Sequence, residues 1–236
     1  MEAYGETCEL DDLVRELQKD RVYFEKSGGG VTLSGGEPLV QPAFAKDLCT
    51  ALKQRGVSTA LDTCGQCAWD TLKDLLPLTD LVLYDLKALD FKLHQEFTGA
   101  GNERILENLV RLAKHLREHG MPKELWVRTP LIPGCTATGE NIKAIGVFIK
   151  KNLNAAVSRW ELCAFNNLCV HKYDGLGIDW RFREVSPMTR DDAWQLARIA
   201  QDSGVDARIV HLSGPLMNVF SDEPSEQVMS DRKGAV

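Results

Sequence analysis

The chain of 236 residues carries 28 Lys+Arg against 34 Asp+Glu, a formal charge of -6, with 44% hydrophobic and 26% charged residues. That balance excludes a basic nucleic-acid binder and a disordered chain, and no apolar run is long enough to span a bilayer. Seven cysteines, an odd number, with no basic-then-apolar leader, argue against a disulfide framework and for a reducing, cytoplasmic setting in which most thiols are small buried hydrophobes.

Strand and helix patterns alternate along the chain. Thr7 is placed to cap a helix with Leu10, Leu13, Val14 and Leu17 on one face. Val31–Ser34 reads as a short strand between two glycine runs, in "SGGGVTLSGGEP". Pro42 opens a helix whose stripe of Phe44, Ala45, Leu48, Ala51 and Leu52 stops at Gly56. Val57–Asp62 follows as a strand and Trp69–Leu76 as a helix. Asp80–Lys87, "DLVLYDLK", is a nearly continuous apolar strand of the kind buried on both faces. Asn102 is placed to cap a long helix ending at Gly120, and Leu125–Ile132 is a strand broken by Pro133-Gly134. Ile142–Leu153 is a helix and Val157–Cys163 a strand. Thr189 caps a last helix through Ala200, and Val205–Val210 reads as a final strand. The alternation implies an α/β fold with a parallel sheet and outer helices, closed or partly closed, and the polar tail is expected to be loose.

In such folds the chemistry gathers at the C-terminal ends of the strands. Those ends carry Ser34-Gly35-Gly36-Glu37, Asp62-Thr63, Asp85-Leu86-Lys87, Arg128 in the next strand, and Phe165-Asn166-Asn167. Asp85 and Lys87 share a face because side chains alternate along a strand. The glycines are not a phosphate loop. Glu37-Pro38 stands where a Walker loop needs Lys-Ser/Thr, and Gly28-Gly29-Gly30 precedes the strand instead of following it. An acidic turn with bare backbone suits an ammonium group better than an anion. Cys64-x-x-Cys67 with Cys163, Cys169 and His171 is a weak zinc constellation, since a structural zinc site needs further ligands at related spacing.

"DRVYFEKSGGGVTLSGGEPLVQPAF", "ALDTCGQ", "LVLYDLKALD…HQEFTG" and "WVRTPLIPG" together resemble the radical S-adenosylmethionine activating enzymes of glycyl radical enzymes, in order from about Thr7 to about Val210. The resemblance implies a partial (β/α)6 barrel, here lacking its first strand, over residues 1–215, followed by a polar tail at 216–236. It implies S-adenosylmethionine and a [4Fe-4S] cluster as cofactors, a 5′-deoxyadenosyl radical, and hydrogen abstraction from a glycine of a partner glycyl radical enzyme. A flavodoxin or ferredoxin is the implied electron donor, with no nucleic-acid or membrane partner. It assigns Gly35, Gly36 and Glu37 to the methionine ammonium through backbone carbonyls. Asp62, Thr63, Asp85, Leu86 and Lys87 fall at the methionine end, with a monovalent cation at Asp62 and Thr63. Arg128 falls near the cofactor and the incoming glycine, and Asn166 at a further cofactor contact.

Two departures bear on that assignment. Phe165-Asn166 stands where many relatives carry Tyr-His, and asparagine can hydrogen-bond but cannot titrate. No three cysteines have the Cys-x3-Cys-x2-Cys spacing of the cluster motif. The chain therefore reads as the C-terminal part of an activase, inactive on its own. The alternatives are a non-catalytic degenerate barrel that binds a glycyl radical enzyme, and an unrelated barrel enzyme using Asp85 and Lys87 as acid and base.

Overall fold

The computed structural model describes residues 5–217. Six strands, β1 (Gly30–Leu33), β2 (Ser58–Thr63), β3 (Leu81–Asp85), β4 (Glu124–Leu131), β5 (Arg159–Ala164) and β6 (Val210–Ser213), form one all-parallel sheet in sequence order. This is the α/β architecture expected, and it is open: among the described residues β1 and β6 pair on one side only. The polar tail expected at 216–236 lies outside the described residues from 218 onward.

The helices are α1 (Leu10–Leu17), α2 (Arg21–Ser27), α3 (Pro42–Gln54), α4 (Trp69–Leu75), α5 (Phe91–Thr98), α6 (Glu103–His119), α7 (Gly139–Phe148), α8 (Val170–Leu176) and α9 (Arg190–Gln201). Three differ from the expected caps or spans. The α1 helix starts after Glu9 instead of Thr7, with Asp11 and Asp12 in its first turn complementing the helix dipole. Asn102 precedes α6 without capping it, because its Nδ2 donates to the Ala88 and Leu89 carbonyls and ties α6 to the end of β3. The α7 helix starts three residues early, capped by Thr138 Oγ1, and its C-terminal half becomes a π turn at Ile149–Leu153. Thr189 does cap α9, accepting from Asp192 N at 3.2 Å.

Alternation along the strands divides the sheet into two faces. In β2, β3, β4 and β5 every second residue is buried, and Leu61, Val82, Tyr84, Val127, Leu131, Trp160 and Leu162 pack under the helices. Burying each such side chain contributes about 1.5–3 kcal/mol. Polar atoms on that face are paired: Tyr84 donates to the Ile105 carbonyl at 2.7 Å and Trp160 Nε1 to Thr129 Oγ1 at 3.1 Å. The intervening residues stand half-buried on the opposite, concave face.

The last strand lies later than its apolar run suggests. Asp206 accepts from Arg208 N at 3.0 Å and starts a 3-10 turn at Ala207–Ile209, so pairing begins at Val210 opposite Trp160. The run of glycines entering β1 has a steric reason at Gly30, the first residue of the strand. A Cβ there would run into the Ser58 carbonyl of the neighbouring strand. Gly30→Ala is therefore expected to lower the unfolding free energy by about 1–3 kcal/mol. Gly36→Ala, whose Cβ would meet nothing within 4 Å, is expected to leave it within about 0.5 kcal/mol. Urea titration of both variants checks the difference.

Candidate functional site

The C-terminal ends of β1, β2 and β3 enclose a polar cavity of about 290 Å³ lined by Ser34, Gly35, Gly36, Glu37, Asp62, Thr63, Cys64, Asp85 and Lys87. Seven of the residues singled out in the sequence thus meet in one place. Gly35 has φ +112°, a conformation that L side chains rarely adopt, and neither Gly35 nor Gly36 has any atom within 4 Å of where a Cβ would stand. The turn after β1 presents bare backbone to the cavity.

Glu37 does not stand free in this cavity. Its carboxylate accepts from Thr63 Oγ1 at 2.7 Å, Cys64 N at 2.9 Å and Leu39 N at 3.2 Å. It binds the end of β1 to the end of β2. Thr63 Oγ1 in turn accepts from Gly65 N at 2.9 Å, so this hydroxyl is committed to the loop. Glu37→Ala removes the acceptor of three part-buried donors and is expected to cost about 1–3 kcal/mol, read as a fall in the urea midpoint.

Charges of both signs line the concave face. Register places Asp85, Arg128, Glu161 and His211 in one row across β3 to β6, and Asp62, Leu83, Trp126 and Arg159 in the row below. Diagonal contacts link the rows. Asp62 meets Arg128 Nη1 at 2.8 Å and accepts from Ser34 Oγ at 2.9 Å. Arg159 meets Glu161 at 3.0 Å and lies over the Trp126 ring at 4.6 Å. Arg128 Nε lies 3.8 Å from Glu161. Asp85 and Lys87 pair at 3.2 Å, as their shared face required. Burial alone would lower the Arg128 pKa, but Asp62, Asp85 and the contact with Cys163 reverse this and hold it above its ordinary value.

Three residues singled out in the sequence do not line this cavity: Leu86, Asn166 and Arg128, which reaches its wall through Asp62. Leu86 is fully buried, its N–H donating to the Arg128 carbonyl at 2.8 Å and its carbonyl accepting from Thr129. Asn166 lies beyond β5, where its Oδ1 accepts from Leu168 N at 3.2 Å. The sequence places Ser34 at a strand end and Cys64 in a weak zinc constellation without assigning either to the cofactor, and it does not single out Glu161. The alternation that paired Asp85 with Lys87 also places Glu161 on the concave face, two residues before Cys163. Beside the polar cavity lies an apolar one of about 450 Å³, walled by Phe97, Tyr173, Trp180 and Phe182, and Lys87 lines both.

The sequence profile of the Radical SAM superfamily matches residues 4–140, and the chain belongs to that superfamily. It is 38% identical to the isethionate sulfite-lyase activating enzyme of Nitratidesulfovibrio vulgaris, covering 78% of this chain and 57% of that protein. It is 31% identical to the (2S)-3-sulfopropanediol dehydratase activating enzyme of Klebsiella oxytoca, covering 84% and 61%. The chain therefore spans about three-fifths of the length of these curated relatives. A crystal structure of a domain of a pyruvate-formate lyase-activating enzyme from Bacteroides vulgatus superposes with a TM-score of 0.63 at 27% identity, covering 79% of this chain and 99% of that domain.

The superfamily uses S-adenosylmethionine and a [4Fe-4S] cluster, and the residues present fit the two unequally. Bare backbone at Gly35-Gly36 beside carboxylates and Lys87 suits a zwitterionic amino-acid group. The cluster finds no ligand set, because among the described residues no three His, Cys, Asp or Glu side chains are grouped so that they could hold a metal ion. Of the cysteines among the described residues, Cys64 alone lines the polar cavity, and its backbone N–H donates to Glu37. Burial raises the Cys64 pKa, and it pushes Cys67, with Glu37 and Cys64 nearby, up to about 11. Burial also raises Cys49 and Cys135 to about 11. Iodoacetamide at neutral pH is therefore expected to alkylate the exposed Cys8 and Cys169 first. Peptide mass spectrometry of the native chain checks that order.

Proposed function

We propose that this chain is the S-adenosylmethionine-recognising part of an activating enzyme for a glycyl radical enzyme. The observation that carries the reading is the meeting of Gly35-Gly36, Asp62 and the Asp85–Lys87 pair in one cavity at the strand ends. In this reading the carbonyls of the Gly35–Gly36 turn receive the methionine ammonium, and Lys87 and Arg128 supply positive charge for its carboxylate. Glu37 acts through the backbone, holding the turn against β2. The relatives' names support a glycyl radical enzyme as the protein partner and a radical chemistry for the whole enzyme. Flavodoxin or ferredoxin remains the electron donor the resemblance implies, and the adjoining apolar cavity is open to a polypeptide approaching the strand ends.

No cluster-dependent step belongs to these residues, because iron–sulfur clusters are held by cysteine thiolates and the three-thiolate set is not among them. That same observation favours the second reading, a binding-only barrel that engages the partner without cofactor chemistry. Calorimetric titration of the full chain with S-adenosylmethionine separates the two. Binding that falls about tenfold, or 1.4 kcal/mol, in Asp85→Asn and in Lys87→Ala is expected from the first. Partner binding with no affinity for S-adenosylmethionine supports the second. After anaerobic reconstitution with iron and sulfide the chain alone is expected to form no 5′-deoxyadenosine, and robust cluster-dependent product overturns that expectation.

A further inference from the structure

We propose that Glu161 is a positioning residue that fixes the Arg128 guanidinium over the concave face and thereby sets the geometry of the ligand cavity. Three observations carry this. The side chain of Glu161 is 15% exposed and lies on the concave face, while Trp160, Leu162 and Ala164 on the other face of β5 provide its packing. Its carboxylate stands between Arg159, at 3.0 Å, and Arg128 Nε, at 3.8 Å. Arg128 Nε is buried and has no hydrogen-bond partner, so Glu161 is the anion that compensates that edge while Asp62 takes Nη1.

The contacts then run on across the sheet. Arg159 stacks on Trp126 and holds Glu161, Glu161 faces Arg128, Arg128 grips Asp62, and Asp62 accepts from Ser34, next to the Gly35–Gly36 turn. A chain of alternating charge thus ties β5 to the turn after β1. Networks of half-buried ions contribute little to stability compared with apolar packing, so a positional role is what such a network adds here. Glu161 also completes the electrostatic balance. Glu37, Asp62, Asp85 and Glu161 face Lys87, Arg128 and Arg159, one negative charge in excess, and S-adenosylmethionine carries one net positive charge through its sulfonium, ammonium and carboxylate.

This rests on the reading of the cavity as a cofactor site, and the test keeps the two apart. The Arg128 Nε–Hε signal, assigned by its loss in Arg128→Lys, is followed by nuclear magnetic resonance in the full chain without ligand. In the unsubstituted chain it is expected to be resolved and slow to exchange. In Glu161→Gln it is expected to join the exposed arginines, and in Glu161→Asp to stay resolved. S-adenosylmethionine affinity is then expected to fall about tenfold in Glu161→Gln, the scale of one lost charge contact, and to be largely kept in Glu161→Asp. The double variant Arg159→Gln/Glu161→Gln restores the charge balance without restoring the contact to Arg128, and its affinity is expected to remain low. An Arg128 signal unmoved by Glu161→Gln overturns the proposal, as does recovery of affinity in the double variant. If the folded chain fails to bind S-adenosylmethionine, the cofactor reading falls, and the Arg128 signal still decides the role of Glu161.

Discussion

Parallel pairing in sequence order is the constraint on which the rest of this molecule depends. Each strand must return through a crossover, and here the crossover helices bury one face of the sheet against Leu61, Val82, Val127 and Trp160. The other face remains concave and half-exposed. Charges that would each cost several kcal/mol in a sealed interior are tolerated there because water still reaches them. Asp62, Asp85, Arg128, Arg159 and Glu161 side chains are all between 15% and 29% exposed. The arrangement that gives the chain its core is therefore the one that leaves room for a charged site.

The end of β1 shows how stability and recognition are divided between neighbouring residues. Glu37 is acidic and sits in the cavity wall, which reads at first as a ligand contact. Its carboxylate instead holds Thr63, Cys64 and Leu39, three donors from the loops after β1 and β2. Gly35 and Gly36 make no such contacts and leave the backbone open. A charge-assisted clamp fixes the turn, and the absence of side chains makes it accessible. Exchanging these roles would leave buried donors unpaired and fill the cavity with a carboxylate.

Much of the fold was legible in the sequence because its signals are local. The apolar run of β3 and the stripes of α3 and α6 mark their own type, and Thr189 marks the start of α9. What escaped was set by tertiary context. The short helices α2, α5 and α8 have no long apolar stripe to announce them, and α8 has no buried residue at all. Asn102 looks like a cap in sequence but instead ties down the loop after β3 at Ala88 and Leu89. β6 is displaced because Asp206 starts a 3-10 turn that an apolar run cannot reveal. At the site, Asp85 and Lys87 were readable because they lie two residues apart on one strand. Glu161 was not, because its partner Arg128 is on another strand and only register brings them together.

The described cysteines are spread over the fold instead of gathered at one centre. Cys49 and Cys135 are buried hydrophobes, and Cys163 lies half-buried on the concave face beside Arg128. Their thiols are held protonated by burial, which suits packing and opposes metal ligation, since the ligand is the thiolate. Cys64 comes nearest to the cavity, and there its backbone N–H is what donates to Glu37. In the proposed reading the strand ends hold an amino-acid zwitterion by bare backbone and paired charges, with no thiolate taking part.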